Sequence, residues 1–414
     1  MGDASKAIGR SVDKRRMTII VTATMKFTRR ESLAAAGAAA LCGCAAAGRL
    51  PLGPVESHSL DSLARRSGRR FGTAVGTGVP GGQSSALADP PYRAIVAKEC
   101  GVIVPENELK WQWTRPSATT FDFRSADLLL EWARTAGLAI RGHTLLWVPE
   151  KWYPKWLLSH DFGTRPATAA ADMLVQHVQT VCRRYGNRIY SYDVVNEAVQ
   201  PETGAIRDTV LTRAIGGEAM LDLMFRTAKA EAPHAQLVYN DYMSWERGTE
   251  DETHIAGVLK LLEGFRKRGT PVDALGIQSH IRLLKALPVA DIVRESEGPW
   301  RRFLDTVVAM GYGLEITEFD VNDRMAPDDI AVRDTMVADY ANAYLDIMLT
   351  YPELGDVVAW GMVDRYSWLT DFDPRRDKSI KRGTPYDSEY RPKPLRTAIA
   401  RSLAGASSQH PRSP

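Results

Sequence analysis

Two glutamates sit where a chemistry could be built. Glu197 closes the run Tyr190-Ser191-Tyr192-Asp193-Val194-Val195-Asn196, and Glu318 closes Leu314-Glu315-Ile316-Thr317. Both runs carry β-branched or aromatic residues that suit a buried pleated surface, so each should deliver its carboxylate from a strand. Glutamate is seldom buried without a partner. Such a residue is either an exposed strand end or a placed reagent, and each run taken alone leaves both readings open. Two carboxylates flanking a bound sugar are what glycoside hydrolysis needs: one protonates the leaving oxygen, while the other attacks the anomeric carbon or activates a water. Asn196 can hold a sugar hydroxyl beside the reacting carbon, and His280 and Asp320 can hydrogen-bond in series to keep Glu318 ionised.

Elements that could position this pair follow a rhythm. Short β-like runs at 71–75, 102–105, 139–147, 189–195, 236–240, 274–279, 314–317 and 357–361 alternate with amphipathic stretches such as 127–135, 169–185, 218–231, 253–267, 300–310 and 332–350. Eight βα units predict an α/β protein with a single (β/α)8 TIM barrel, and a doubly wound open sheet is the alternative. In a barrel the carboxyl ends of the strands converge on one face, and here those ends are polar and aromatic. They carry Glu106-Asn107-Glu108-Leu109-Lys110-Trp111, Arg141-Gly142-His143 with Trp147, Tyr239-Asn240-Asp241-Tyr242, Gln278-Ser279-His280, Glu318-Phe319-Asp320, and Trp360 followed by Asp364-Arg365-Tyr366-Ser367-Trp368. A lone strand-end Glu318 could be merely solvated, and a lone His280 is more often bonded to a carbonyl in a core. Furnishing at so many strand ends argues for one cleft.

Other chemistries find less support. The formal charge of +3 is small for 414 residues and its basic residues are scattered, which leaves no footprint for nucleic acid. No His-Glu-x-x-His stretch exists, the histidines lack ligand spacing, and neither a catalytic metal nor a cofactor is expected. Gly76-Thr77-Gly78-Val79-Pro80-Gly81 matches G-x-G-x-x-G formally, but Pro80 and the following Gly-Gln-Ser-Ser do not open a helix onto a pyrophosphate. It reads as the loop after the first strand. Ten tryptophans, several in loop positions, hint at flat apolar faces for a ligand.

Residues 1–48 differ from the rest. Arg29-Arg30 precede the Ala- and Gly-rich run 33–47, which is too short to span a bilayer, and together they look like a twin-arginine export signal with its start at Met17 or Met25. Ala45-Ala46-Ala47 offers a cleavage site, and Leu41-Cys42-Gly43-Cys44 offers a lipoprotein box with lipidation at Cys44 as the lesser option. Residues 49–70 read as a linker, 71–405 as the catalytic barrel and 406–414 as a tail. The expected product is an exported monomer, periplasmic or extracellular, without a membrane span, whose Cys100 and Cys182 are buried free thiols.

From Phe71 to about Leu403 the chain resembles glycoside hydrolase family 10, the retaining endo-β-1,4-xylanases. Asp193-Val194-Val195-Asn196-Glu197 is similar to that family's acid/base signature and Glu315-Ile316-Thr317-Glu318-Phe319-Asp320 to its nucleophile signature. Glu106-Asn107-Glu108-Leu109-Lys110, Arg141-Gly142-His143-Thr144-Leu145-Leu146-Trp147, Tyr239-Asn240-Asp241-Tyr242 and Gly276-Ile277-Gln278-Ser279-His280 resemble further family motifs in order. The resemblance implies Glu197 as general acid/base and Glu318 as nucleophile. It implies Glu106, Asn107 and Lys110 on glycone hydroxyls, with His143 and Trp147 shaping the subsite at the scissile bond. It further implies Asn196 on the 2-hydroxyl, Gln278 and His280 in support, Tyr242 on the leaving-group side, and Trp360 and Trp368 stacked on sugar rings.

One departure stands out. The family usually continues as Trp-His-x-Gln, whereas Trp147 is followed here by Val148-Pro149-Glu150, so Glu150 would replace a glycone-binding amide and the stretch 151–156 would build a different wall. The substrate implied is xylan, with another β-glycan or a bacterial exopolysaccharide as the alternative. A catalytically silent glycan-binding barrel is the remaining reading, which the presence of Glu197, Glu318, His280 and Asp320 together disfavours.

Overall fold

The computed structural model describes residues 57–78, 85–246, 248–283 and 288–408. The twin-arginine segment, Cys42, Cys44, the end of the glycine loop from Val79 onward and the last tail residues lie outside them.

Eight parallel strands close into a barrel. They are β1 (Phe71–Val75), β2 (Val102–Pro105), β3 (Ala139–His143), β4 (Ser191–Asn196), β5 (Gln236–Asp241), β6 (Ala274–Ile277), β8 (Gly313–Asn322) and β9 (Leu354–Ala359). Each pairs with the next, β6 pairs with β8, and β9 returns to β1, so no edge is left open. A short strand, β7 (His280–Arg282), continues β6 beyond Ser279 and pairs with the far half of β8. This is the TIM barrel expected from the βα rhythm.

The strands read as continuous apolar runs because helices cover one face and the barrel interior fills the other. Side chains divide with period two: Phe71 and Val75, Ile103, Val357 and Ala359 join the large core beneath the helices. Ala74, Val102, Val104, Val358 and Trp360 form a smaller cluster on the opposite face, inside the barrel.

Around the strands run α1 (Leu60–Arg65), α2 (Pro90–Glu99), α3 (Arg124–Thr135), α4 (Pro166–Tyr185), α5 (Gly217–Glu231), α6 (Thr249–Arg268), α7 (Val289–Ala309), α8 (Ile330–Met348) and α9 (Pro394–Gly405). Among the described residues no helix is long and apolar enough to cross a membrane. Cys100 and Cys182 are buried and unpaired.

Regular structure begins before Phe71, which corrects the linker reading of residues 49–70. Ser59 caps α1 by accepting from Ser62 N at 3.1 Å, Leu60 N donates to Glu99 Oε2 at 2.9 Å, and Phe71 N donates to Asp61 Oδ1 at 3.1 Å. Buried Arg69 donates to the Leu354 and Tyr351 carbonyls, tying this entry to β9. A second correction concerns Trp147: β3 ends at His143, and Trp147 joins β4 only through an isolated bridge to Asn196.

Candidate active site

Register places the key partners side by side. Asn196 lies opposite Asn240 across β4 and β5, His143 opposite Asp193 across β3 and β4, and His280 opposite Asp320 across β7 and β8. Adjacent positions on parallel strands hold their side chains within hydrogen-bond reach, so the barrel itself sets these distances.

Glu318 is buried within β8 and bonded from two sides. Asn240 Nδ2 donates to its Oε1 at 2.7 Å, and His280 Nε2 lies 3.3 Å from its Oε2. Behind His280 the chain continues: Nδ1 meets Asp320 Oδ1 at 2.9 Å, and Trp368 Nε1 donates to Asp320 Oδ2 at 2.8 Å. Burial opposes charge on Glu318, but the His280 hydrogen bond and the nearby His143, His280 and Lys110 outweigh it and hold the carboxyl down at about 2. Burial also opposes charge on His280, and Asp320 with Glu318 overcomes this, lifting it to about 10. The imidazole is therefore a cation at neutral pH that donates from both nitrogens.

Glu197 follows β4 directly and adopts φ of 57°, a left-handed conformation that costs a non-glycine residue ~1–3 kcal/mol. Two bonds hold it there: its N–H donates to the Asn240 carbonyl at 2.9 Å, and its carbonyl accepts from Arg207 Nε at 2.9 Å. Burial raises its carboxyl above the usual range, against hydrogen bonds from Gln278 and Trp147 and with a further push from the negative Asp241 and Glu318. Gln278 Nε2 donates to Glu197 Oε1 at 3.0 Å and to Asn196 Oδ1 at 3.2 Å. One carboxyl is thus biased to keep its proton and the other to stay ionised, the division of labour acid and nucleophile need.

The walls gather the other residues. Lys110 Nζ donates to Asn107 Oδ1 at 3.1 Å and lies 4.5 Å over the Trp147 ring. Burial lowers its pKa against the pull of Glu318, Glu106, Glu197 and Glu108. Glu106 is buried beside this group. Glu108 accepts from Thr77 N at 2.6 Å and Oγ1 at 2.8 Å, so the glycine loop braces the loop after β2. His143 Nδ1 meets Asp193 Oδ2 at 2.9 Å, and its ring stands edge-on to Trp360 at 5.3 Å. Trp368 lies 4.9 Å from the His280 ring. Tyr242 accepts at its hydroxyl from Arg207 Nη2 at 2.8 Å.

The Val148 and Glu150 reading needs correction. Val148 is fully buried in the large core and donates its N–H to the Asn196 carbonyl at 3.0 Å, so it does not line the cleft. Glu150 Oε1 accepts from Val210 N at 2.9 Å and from Arg213 Nη2 at 3.1 Å, which turns that oxygen toward the short helix Val210–Ile215. What the stretch brings beside the site is Trp152, stacked on Trp147 at 4.6 Å with 12° between the planes.

Sequence reasoning gave no role to three participants. Asn240 accepts from Thr317 Oγ1 at 2.6 Å and donates to both Asn196 Oδ1 (2.9 Å) and Glu318, linking the two reactive strands. Gly276 gives it room, since a Cβ there would stand 2.4 Å from Asn240 Oδ1. Arg141 donates to Asp193 at 2.7 Å, fixing the carboxylate that orients His143. Arg207 comes from the loop after β4. Asn240 and Arg141 lay in strand-end motifs; Arg207 carried no signal.

Comparison with known proteins places these residues in context. The model of the family described as glycosyl hydrolase family 10 matches residues 59–402. Endo-1,4-beta-xylanase 1 of Humicola insolens is 30% identical over 357 residues, covering 84% of this chain and 75% of the relative. Endo-1,4-beta-xylanase 5 of Pyricularia oryzae is 29% identical over 364 residues, covering 87% and 82%. Among solved structures, native xylanase 10B of Thermotoga maritima superposes with a TM-score of 0.71 at 27% identity, covering 84% of this chain and 98% of that one. Xylanase 10B of Thermotoga petrophila in complex with xylobiose gives 0.71 at 26%, covering 86% and 99%.

Proposed function

The chain belongs to glycosyl hydrolase family 10, and on that premise we propose that it is an endo-acting β-1,4-xylanase that cleaves internal bonds of xylan with retention of configuration. The observation that carries the reading is the opposite bias of Glu197 and Glu318, one raised by burial and the other held at about 2 by His280 and its neighbours.

In the first step a Glu318 oxygen attacks the anomeric carbon while Glu197 gives its proton to the leaving oxygen, and the glycosidic bond breaks into a glycosyl ester and a free chain end. Esterification removes the negative charge of Glu318, one of the charges that raise Glu197, so the pKa of Glu197 falls and its carboxylate, having given up its proton, stays ionised to serve as the base of the second step. It then takes a proton from water, whose oxygen attacks the same carbon and releases Glu318. Asn196 would hold the 2-hydroxyl, with Lys110, Asn107, Glu106, His143 and Trp147 on the glycone and Tyr242 on the leaving group. Trp360 and Trp368 would stack on sugar faces. Retention requires the two carboxyl groups to stand about 5–5.5 Å apart.

The twin-arginine motif and the small-residue segment behind it support export to the periplasm or beyond. Proton NMR during xylan hydrolysis tests the enzymatic reading. Fresh β-anomeric reducing ends are expected, and initial α-anomers or inert xylan would overturn it.

A further inference from the structure

Asp241 is fully buried at the end of β5, and its negative charge is one of those that raise Glu197. Its Oδ1 accepts from Tyr242 N at 2.9 Å and its Oδ2 from the Tyr239 hydroxyl. It takes no part in the two displacement steps, yet it stands close enough to bias the general acid. Facing it is His254, a buried side chain of α6 whose Nε2 lies 3.2 Å from Asp241 Oδ1. The imidazole also packs against the Tyr242 ring at 4.7 Å.

Neighbouring elements hold the helix at this distance. Gly257, just beyond His254, meets Gly204 in the loop after β4, where a Cβ on Gly257 would stand 2.5 Å from the Gly204 carbonyl oxygen. That loop carries Arg207, which donates from Nη2 to the Tyr242 hydroxyl at 2.8 Å and from Nε to the Glu197 carbonyl at 2.9 Å. The helix, β5 and the loop after the acid/base thus pack as one unit around His254.

The charged and titratable groups facing His254 are Asp241 with Tyr239 from β5, Tyr242 just after it, and Glu197 and Arg207 from the end of β4 and its loop. Asp251 adds to them from the same helix, itself paired with Arg282 of β7 at 3.3 Å. Burial and Arg207 press the imidazole toward its neutral form, but Asp241, helped by Glu197, outweighs them and lifts His254 above its usual range. A cation beside Asp241 cancels part of the field that Asp241 exerts on Glu197.

We propose that His254 is a positioning residue for the general acid: seated against Asp241, it offsets that carboxylate's charge and so sets the alkaline limit of activity. This rests on the reading of Glu197 as proton donor. Two measurements test it: the alkaline limb of kcat/KM on xylohexaose, which reports the essential acid of the free enzyme, and NMR titration of the His254 ring in the parent protein, which needs no turnover. The ring should titrate above its ordinary 6.5. His254→Gln keeps an N–H facing Asp241 without the charge, and should move the alkaline limb upward by about half a pH unit. His254→Lys keeps a cation and should leave the limb at or below the parent's. In an Asp241→Asn background nothing keeps His254 charged, so adding His254→Gln should shift the limb by less than about 0.2 units. A ring that stays neutral down to about pH 5, an unmoved limb in His254→Gln, or the same shift with and without Asp241 would overturn the proposal and leave His254 a packing residue. An alkaline limb unchanged in Glu197→Ala would instead remove Glu197 from the donor role on which the inference rests, whatever the His254 ring does.

Discussion

Asn240 Nδ2 donates to Glu318 Oε1 at 2.7 Å while the same nitrogen reaches Asn196 Oδ1 at 2.9 Å, so one amide spans the strand ends that carry both reactive carboxyls. Its orientation is fixed from behind by Thr317 Oγ1 at 2.6 Å. A hydrogen bond to a charged group contributes ~1.5–3 kcal/mol, so Asn240→Ala should lower kcat on xylan by roughly 10- to 100-fold. Asn240→Asp would place a second negative charge against Glu318 and should do worse at neutral pH than at pH 4. Equal loss for both variants across pH would reduce Asn240 to a packing residue.

The His280 and Asp320 chain governs the acid limb. Glu318 is held at about 2 against an ordinary 4.5, so its stabilising effect on the fold is complete above 4.5 and fades as pH falls through 2. His280, lifted from 6.5 to about 10, contributes fully below 6.5 and loses its contribution as pH rises through 10. These are two views of one coupled pair, not two independent gains. Replacing His280 by Asn exchanges the cationic donor for a neutral amide, so the acid limb of kcat/KM should move upward by at least one pH unit, a shift worth about 1.4 kcal/mol. A pH profile with an unmoved acid limb would show that Lys110 and Asn240 suffice to ionise Glu318.

Glu197 and Glu318 are separable by the substrate used. Glu318→Gln removes the attacking oxygen for every substrate, and turnover should fall by roughly 10⁴-fold or more while circular dichroism stays native. Glu197→Ala removes a proton donor, which costs roughly 10²- to 10⁴-fold on xylan. The first step should survive on aryl glycosides whose leaving group needs no proton, giving a burst of released phenol. Absence of that burst, with the fold intact, would remove Glu197 from the donor role.

The barrel was legible because parallel strands covered on both faces show as unbroken apolar runs, and because the chemistry sat at their carboxyl ends. Partnership across strands was harder to read. Asn240 stood in plain view after Tyr239, yet its importance depends on its register against Asn196 and on Thr317 and Glu318 reaching it from β8. Arg207 reaches the Glu197 carbonyl from ten residues further along the chain, out of an irregular loop where no periodicity marks direction. The helix Leu60–Arg65 hid among arginines and serines because its start depends on one cap at Ser59 and on long-range ties to Glu99 and Phe71.

The motif departure after Trp147 shows the same limit from the other side and yields the last prediction. Read along the chain, Val148 and Glu150 look like altered sugar contacts; in the fold Val148 is fully buried and Glu150 pins a helix start and Arg213. Val148→His would force a larger polar ring into the core, at a cost of ~1–3 kcal/mol, and should lower the melting temperature by roughly 2–10 °C. Glu150→Gln keeps an acceptor for Val210 N and loses a half-exposed ion pair, so its effect should stay within about 1 kcal/mol. Neither change should alter kcat/KM on linear xylohexaose by more than about twofold once folded protein is compared. A several-fold gain in the double variant, without loss of stability, would return these two positions to glycone recognition.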